Sequence, residues 1–289
     1  MAENVIIDFT PTGMIPTKAM TPYVPVSVPE IVEDVHHAWK VGITKVHLHA
    51  RDPITGEPTY KKEIYGKMID GIRKFAPSLV ICVSLSGRTF NKFEERSEAL
   101  ELDGDLKPDL GSLTLSSLNF NKIASVNTPD MIQALAVKMK ERGIVPELEA
   151  FDAGMINYAK YLEKKGLLTP PHYFNLLLGN IACAQADILY AGLMIRDLPP
   201  NSLWSLAGIG EWQLMMNSVG IAIGGGVRVG LEDNIYKDPS KKKLVRNVDL
   251  LKRIHVLAEA NEREIMTSTE FRQKMDLEPG NGKYGRASK

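Results

Sequence analysis

Cysteine is nearly missing from this chain: 289 residues hold only Cys82 and Cys183. Both sit among apolar or small residues, so free buried thiols in a reducing compartment are expected rather than a disulfide framework. Net charge is missing too, because 35 Lys and Arg balance 35 Asp and Glu. A chain without charge excess is a poor general binder of nucleic acid or membrane surfaces, although a local basic patch stays open. Long apolar runs are absent, and none reaches the roughly 18 residues that a membrane helix needs. The opening Met1-Ala2-Glu3-Asn4 puts no basic stretch ahead of an apolar one. No signal peptide is therefore expected, and a cytoplasmic location is. What remains is an ordinary globular composition, 44% hydrophobic, enough for a sizeable core.

Short apolar runs alternate with helical stretches along the whole chain. The runs lie at 5–10, 45–52, 79–85, 110–116, 145–151, 173–178, 203–207 and 226–232. Helical periodicity, N-cap residues and closing glycines fill the gaps between them. Ser27-Val28-Pro29-Glu30, for example, opens a helix that Gly42 ends. Two more helices, at 247–260 and 268–275, follow the eighth run. Eight strands alternating with helices predict an α/β fold, a single (β/α)8 TIM barrel with extra C-terminal helices over residues 1–278. A doubly wound open sheet has similar pieces and is the alternative. Residues 279–289 are glycine-rich and polar and read as a flexible C-terminal tail.

Parallel strands are buried on both faces and normally read as unbroken apolar runs. Five strands here do not. His47 and His49 alternate with Val46 and Leu48, and Ser84 with Val83 and Leu85. Ser112, Thr114 and Ser116 alternate with Leu113 and Leu115. Glu147 and Glu149 flank Leu148, while Arg228, Gly230 and Glu232 alternate with Val227, Val229 and Leu231. Side chains on a strand repeat every two residues, so each polar row lies on one face. With the apolar rows against the helices, the polar rows converge on the barrel axis. Unpartnered polar groups there are costly, and a metal ion with a polar substrate would supply partners. His47 and His49, one pleat apart, can close on one metal; alone, they read equally as a hydrogen-bonded pair. Glu232, at the inward end of the eighth strand, reaches them across the first strand. Two histidines and a glutamate with open positions form a catalytic zinc pattern that iron or manganese also uses.

At Thr10-Pro11-Thr12-Gly13, His47-Leu48-His49-Ala50-Arg51-Asp52, Ser112-Leu113-Thr114, Ser117-Leu118-Asn119-Phe120 and 226–234, the sequence resembles the β-keto acid cleavage enzymes. The member type is the 3-keto-5-aminohexanoate cleavage enzyme. The resemblance implies a zinc-dependent barrel that condenses a β-keto acid with acetyl-CoA, releasing acetoacetate and a new acyl-CoA. It implies His47, His49 and Glu232 as Zn2+ ligands, Asp233 as base and Arg228 as its partner. Ser84, Gly87 and Thr114 are implied as substrate contacts, with Glu147 or Glu149 as a further polar wall. It also suggests a homotetramer, to which Trp212 and Leu214 on the outer helices would contribute. The loop after the first strand carries Met14 and Ile15 where an amino-bearing substrate would call for an acid. That favours an uncharged or apolar substrate tail there. The loop at 179–183 is poorer in glycine than the family pattern. The competing function is a metal-dependent hydrolase of the His-x-His barrel type. Such barrels place the pair on the first strand and add histidines from later strands. Here only His172 lies near the sixth strand, at its start.

Overall fold

Eight short strands close on themselves in the computed structural model of the chain, which describes residues 3–287. The strands and helices are β1 (Ile7–Phe9), α1 (Val28–Val41), β2 (Lys45–Leu48), α2 (Lys62–Arg73), β3 (Val80–Val83), α3 (Phe93–Ser97), β4 (Leu110–Thr114), β5 (Leu118–Asn119), β6 (Ala124–Ser125), α4 (Pro129–Arg142), β7 (Val145–Ala150), α5 (Ala153–Lys164), β8 (His172–Leu178), α6 (Ile188–Asp197), β9 (Ser202–Gly208), α7 (Gln213–Ala222), β10 (Gly226–Val229), α8 (Asn247–Ala260) and α9 (Ser268–Lys274). The barrel order is β1-β10-β9-β8-β7-β4-β3-β2, all parallel. The fold is the expected single (β/α)8 barrel, and the open sheet is excluded by the closing β1–β10 pair.

Local chemistry sets the element ends. Ser27 and Glu30 form a reciprocal capping box at the start of α1, with Pro29 inside the first turn. Asp152 accepts from Met155 N and starts α5. Asp187 accepts from Tyr190 N, so α6 begins at Ile188 rather than at Ala184 as its apolar content suggests. The small antiparallel pair of β5 and β6 was not expected, because two-residue strands leave no periodicity to read.

The barrel interior is layered. At the bottom, Ile6, Val80, Leu110, Val145 and Tyr173 pack against Phe271 and Met275 from the last helix and its end. This apolar plug closes the N-terminal end of the barrel, and each fully buried large side chain contributes about 1.5–3 kcal/mol. Above it the inward side chains become charged.

The C-terminal stretch is not the loose tail that its composition suggested. Arg73 and Arg272 both pair with the fully buried Asp109, at 3.0 and 2.8 Å. Gly285 N donates to the same carboxylate, and Tyr284 lies under the Arg73 guanidinium at 3.7 Å. Arg286 donates to the carbonyls of Thr169 and Pro171. A buried acid with two arginines needs these further partners, which draws residues 284–286 onto the barrel. Cys82 is free and buried, and Cys183 is free and partly exposed. Among the described residues, no helix is long and apolar enough to cross a membrane.

Candidate functional site

The site rests on β2. Lys45, His47 and His49 share one parity and point inward. His47 and His49 are 1% and 7% exposed. Glu147 on β7 lies beneath them, fully buried. Its Oε1 accepts from His47 Nδ1 at 2.6 Å, and its Oε2 takes the Lys45 ammonium. An ionised carboxylate only accepts, so a His47 proton sits on Nδ1, and in the neutral ring Nε2 presents a lone pair. That Nε2 faces His49 Nε2 at 3.2 Å, and His49 Nε2 faces Glu232 Oε1 at 3.1 Å. The ligand atoms of His47, His49 and Glu232 all lie within 4.8 Å of one another. Glu232 Oε2 is buried without a hydrogen-bond partner. Two facing imidazole nitrogens and an orphaned carboxylate oxygen fit a divalent cation better than they fit each other.

Glu232 reaches this point by another route than strand parity predicts. β10 ends at Val229, and Gly230 to Asp233 form a turn over β1. A Cβ at Gly230 would lie 2.0 Å from the Thr10 carbonyl oxygen, so only glycine lets the chain pass there. Glu232 N donates back to Thr10 O. Gly13, at φ +68°, crosses the Glu232 side chain so closely that a Cβ would meet its Cγ at 2.6 Å. Arg51 pins this loop, donating to Gly13 O at 2.7 Å and to Pro16 O at 2.9 Å.

Arg228 holds the acids at the mouth. Its Nη2 donates to Glu232 Oε1 at 2.7 Å and its Nε to Asp233 Oδ2 at 3.1 Å. Thr10 Oγ1 also donates to Asp233 Oδ2. Burial pushes Asp233 up to about 6, against the pull of Arg228 and with the push of Glu232. Burial would also raise Glu232, but His49 and Arg228 hold it well below the usual carboxylate range. Burial lowers His49 to about 4 although Glu232 draws it up. Burial acts the same way on His47, but Glu147 and Glu232 outweigh it and raise that group.

Below the histidines lies a charge network that the sequence did not reveal. Lys45 Nζ contacts Asp8 Oδ1 at 2.5 Å as well as Glu147. Asn175 Nδ2 donates to Asp8 Oδ2 at 2.8 Å, and Tyr173 donates to Ser205 Oγ at 2.8 Å. The one signal for Lys45 was its parity with His47. Asp8, set between Ile7 and Phe9, carried a similar one.

The remaining candidates divide. Ser84 and Met14 line a narrow cleft beside His49, together with Tyr60, Leu85, Phe90, Glu95 and Arg96. Ile15 does not join them. It is 50% exposed, because Arg51 anchors the loop at Gly13 and Pro16 and turns Ile15 outward. Thr114 is at the mouth but donates to Glu149 Oε2 at 2.6 Å. Of the two glutamates, Glu149 is thus the one placed beside Thr114. Glu147 is engaged beneath His47, one pleat too deep to face a ligand. Gly87 packs against Val126 and Asn127, where a Cβ would lie 2.4 Å from Val126 O. His172 bonds Glu163 at the opposite end of β8, so it adds nothing to the histidine pair.

The sequence profile of beta-keto acid cleavage enzymes matches residues 4–277. The chain belongs to that family. The 3-keto-5-aminohexanoate cleavage enzyme of Fusobacterium nucleatum is 36% identical over 280 residues, covering 96% of this chain and 99% of its own. The 3-oxoadipate:acetyl-CoA acetyltransferase of Cupriavidus necator is 34% identical over 281 residues, covering 96% of each. Among solved structures, apo ObcA superposes with a TM-score of 0.73 at 20% identity, over 89% of this chain and 66% of that one. That likeness concerns the fold. As a family member the chain is an enzyme, and the motif pair at 47–52 and 226–234 is where its polar rows converge.

Proposed function

We propose that this enzyme is zinc-dependent and condenses a β-keto acid with acetyl-CoA, giving acetoacetate and a new acyl-CoA. The observation that carries the reading is the convergence of His47 Nε2, His49 Nε2 and Glu232 Oε1 on one point at the barrel mouth. The names of the relatives support the reaction class. They differ in the substrate tail, one amino-bearing and one a diacid.

His47, His49 and Glu232 hold the metal, which supplies Lewis-acid polarisation of a carbonyl when bound. Glu147 keeps His47 in the required tautomer. Asp233 removes the proton from the carbon between the keto and carboxylate groups. Arg228 and Thr10 both hold its Oδ2, which aims Oδ1 outward. A positioned base of this kind contributes on the order of 10²–10⁴-fold. The carbanion attacks the acetyl-CoA carbonyl, and CoA leaves as a thiolate. The thiolate adds to the original keto carbon, and the bond between that carbon and its neighbour breaks. One product is the new thioester. The other takes its proton back from Asp233 and leaves as acetoacetate. Ser84, the Gly87 N–H and Thr114 position the acid, and Met14 borders the tail. The exposed Trp212, Leu214, Ile188 and Leu189 support association of copies, in keeping with a homotetramer.

Incubating the zinc-loaded protein with acetyl-CoA and a panel of β-keto acids tests the reading. Acetoacetate should form only when both substrates are present. Its absence with every acid would remove the proposal.

A further inference from the structure

Arg88 is a cation that the machinery above does not use. It follows Ser84 and Gly87 in the loop after β3. Its guanidinium carbon lies over the Phe120 ring, 3.5 Å from the centroid. Phe120 comes from the β5–β6 hairpin and meets Phe151, at the end of β7, edge to face. Arg88 thus reaches across β4 toward the strand that carries Glu149. The loop beneath it is fixed: Arg96 donates to the Leu85, Val126 and Asn127 oxygens, and Gly87 O accepts from Val126 N.

The carboxylates at the mouth have other partners. Arg228 takes Glu232 and Asp233, and Thr114 donates to Glu149. Among the described residues, the Arg88 guanidinium has no carboxylate or hydrogen-bond partner of its own. Glu232, Glu149 and Asp233 still act on its charge, which places it within their field. An arginine braced on an aromatic face, with its fork of donors unused, is prepared for a planar oxyanion.

We propose that Arg88 is the carboxylate-binding residue of this site and receives a carboxylate of the keto acid. The inference rests on the functional reading above for the identity of that acid. The phosphates of CoA are a poor occupant, because the pantetheine arm sets them far from the thioester. Two sources share the carboxylate chemistry. One is the carboxylate common to every β-keto acid, and the other is a second carboxylate on the tail. The cleft beside Met14 favours the first: it holds Glu95, and its one arginine, Arg96, is already engaged with the Leu85, Val126 and Asn127 oxygens, so it offers a tail carboxylate no free cation.

The test uses the zinc-loaded enzyme, Arg88→Met and Arg88→Lys, with acetyl-CoA and either 3-oxohexanoate or 3-oxoadipate. In Arg88→Met, kcat/KM should fall by about 10–100-fold, mostly through KM, with zinc content unchanged. Equal losses on both acids assign the common carboxylate, and a larger loss on the diacid assigns the tail. Arg88→Lys keeps the charge without the fork and should recover part of the loss. Unchanged KM for both acids in Arg88→Met would overturn the proposal. Calorimetric binding of malonate and glutarate is read in parallel. If no keto acid turns over but Arg88→Met weakens carboxylate binding, the functional reading fails and the Arg88 assignment stands. Equal carboxylate binding by wild type and variant overturns the assignment.

Discussion

Replacing Lys45 with methionine is the most direct probe of the barrel interior. Lys45, Asp8 and Glu147 are each 0% exposed. Lys45 Nζ lies 2.5 Å from Asp8 Oδ1 and also contacts Glu147. At an effective dielectric near 20, each pair is worth about 5 kcal/mol of gross attraction. Desolvation of the ions offsets much of this, so the intact network adds little net stability. Removing the one cation is different. Two carboxylates then stay buried, with His47 and Asn175 as hydrogen-bond donors and Arg228 Nη1, 3.9 Å from Glu147, as the nearest guanidinium. The expected loss is about 3–5 kcal/mol, the usual cost of breaking a buried pair from one side. Urea unfolding at pH 7, followed by circular dichroism, reads it. Adding Asp8→Asn should return a substantial part, because Asn at that position presents no uncompensated charge. Without Lys45, both carboxyls would have folded pKa values above their unfolded ones. Stability of Lys45→Met should therefore be highest at low pH and fall as pH rises through those values. A Lys45→Met variant within 1 kcal/mol of wild type would refute the network argument.

Other perturbations test other layers. Gly230→Ala puts a Cβ against the Thr10 carbonyl and should cost roughly 1–3 kcal/mol while weakening zinc binding, read by thermal unfolding and metal titration. Glu232→Gln should keep the fold and lose most bound zinc, measured by elemental analysis; full occupancy would remove Glu232 as a ligand. Chelation should lower the unfolding midpoint, since a ligand present at 100 times its Kd stabilises by about 2.7 kcal/mol, and identical midpoints with and without metal would count against the centre. Burial raises Asp34 to about 6, with the Asn247 amide opposing it. The folded value exceeds the unfolded one, so this contribution is full below about pH 4 and lost as pH passes 6. Asp34→Asn should gain roughly 1–2 kcal/mol at pH 7, after allowance for solvent at this half-buried site, and match wild type at pH 4.

The sequence exposed the upper half of the site and hid the lower half, for a physical reason. His47, His49 and Arg228 could be read because their neighbours are apolar at alternate positions and their types suit one chemistry, whereas Asp233 came only from the family resemblance. Lys45 sits on the same row, but its partners Asp8 and Glu147 are 37 and 102 residues away. Asp8 meets Lys45 through the β1–β2 register and Glu147 comes from β7 across the closed barrel, whereas a lone lysine on a strand otherwise reads as an edge or surface residue. Glu147 and Glu149 share a face and differ by one pleat. Which of them meets His47 depends on the β4–β7–β8 register, which pairs Glu147 with Ser112 and Tyr173. Glu232 was found for a partly mistaken reason. Parity extended β10 by three residues, whereas the chain turns at Gly230 and delivers the side chain from a loop.

The inward charges show why these layers belong together. Asp8, Glu147, Glu149, Glu232 and Asp233 face the axis against Lys45 and Arg228, with Arg88 at the rim. The lower part balances locally, since Lys45 bridges Asp8 and Glu147. The mouth does not, because Arg228 alone serves Glu232, Asp233 and Glu149. A buried excess of negative charge is unfavourable unless protons or cations neutralise it. Bound between His47, His49 and Glu232, a divalent cation would neutralise that excess, since three carboxylates against the one Arg228 leave a net charge of −2. Arg88 would then tip the mouth toward an anion. On the proposed reading, metal binding and carboxylate recognition would be two consequences of one charge arrangement, built upward from a lysine at the centre of the barrel.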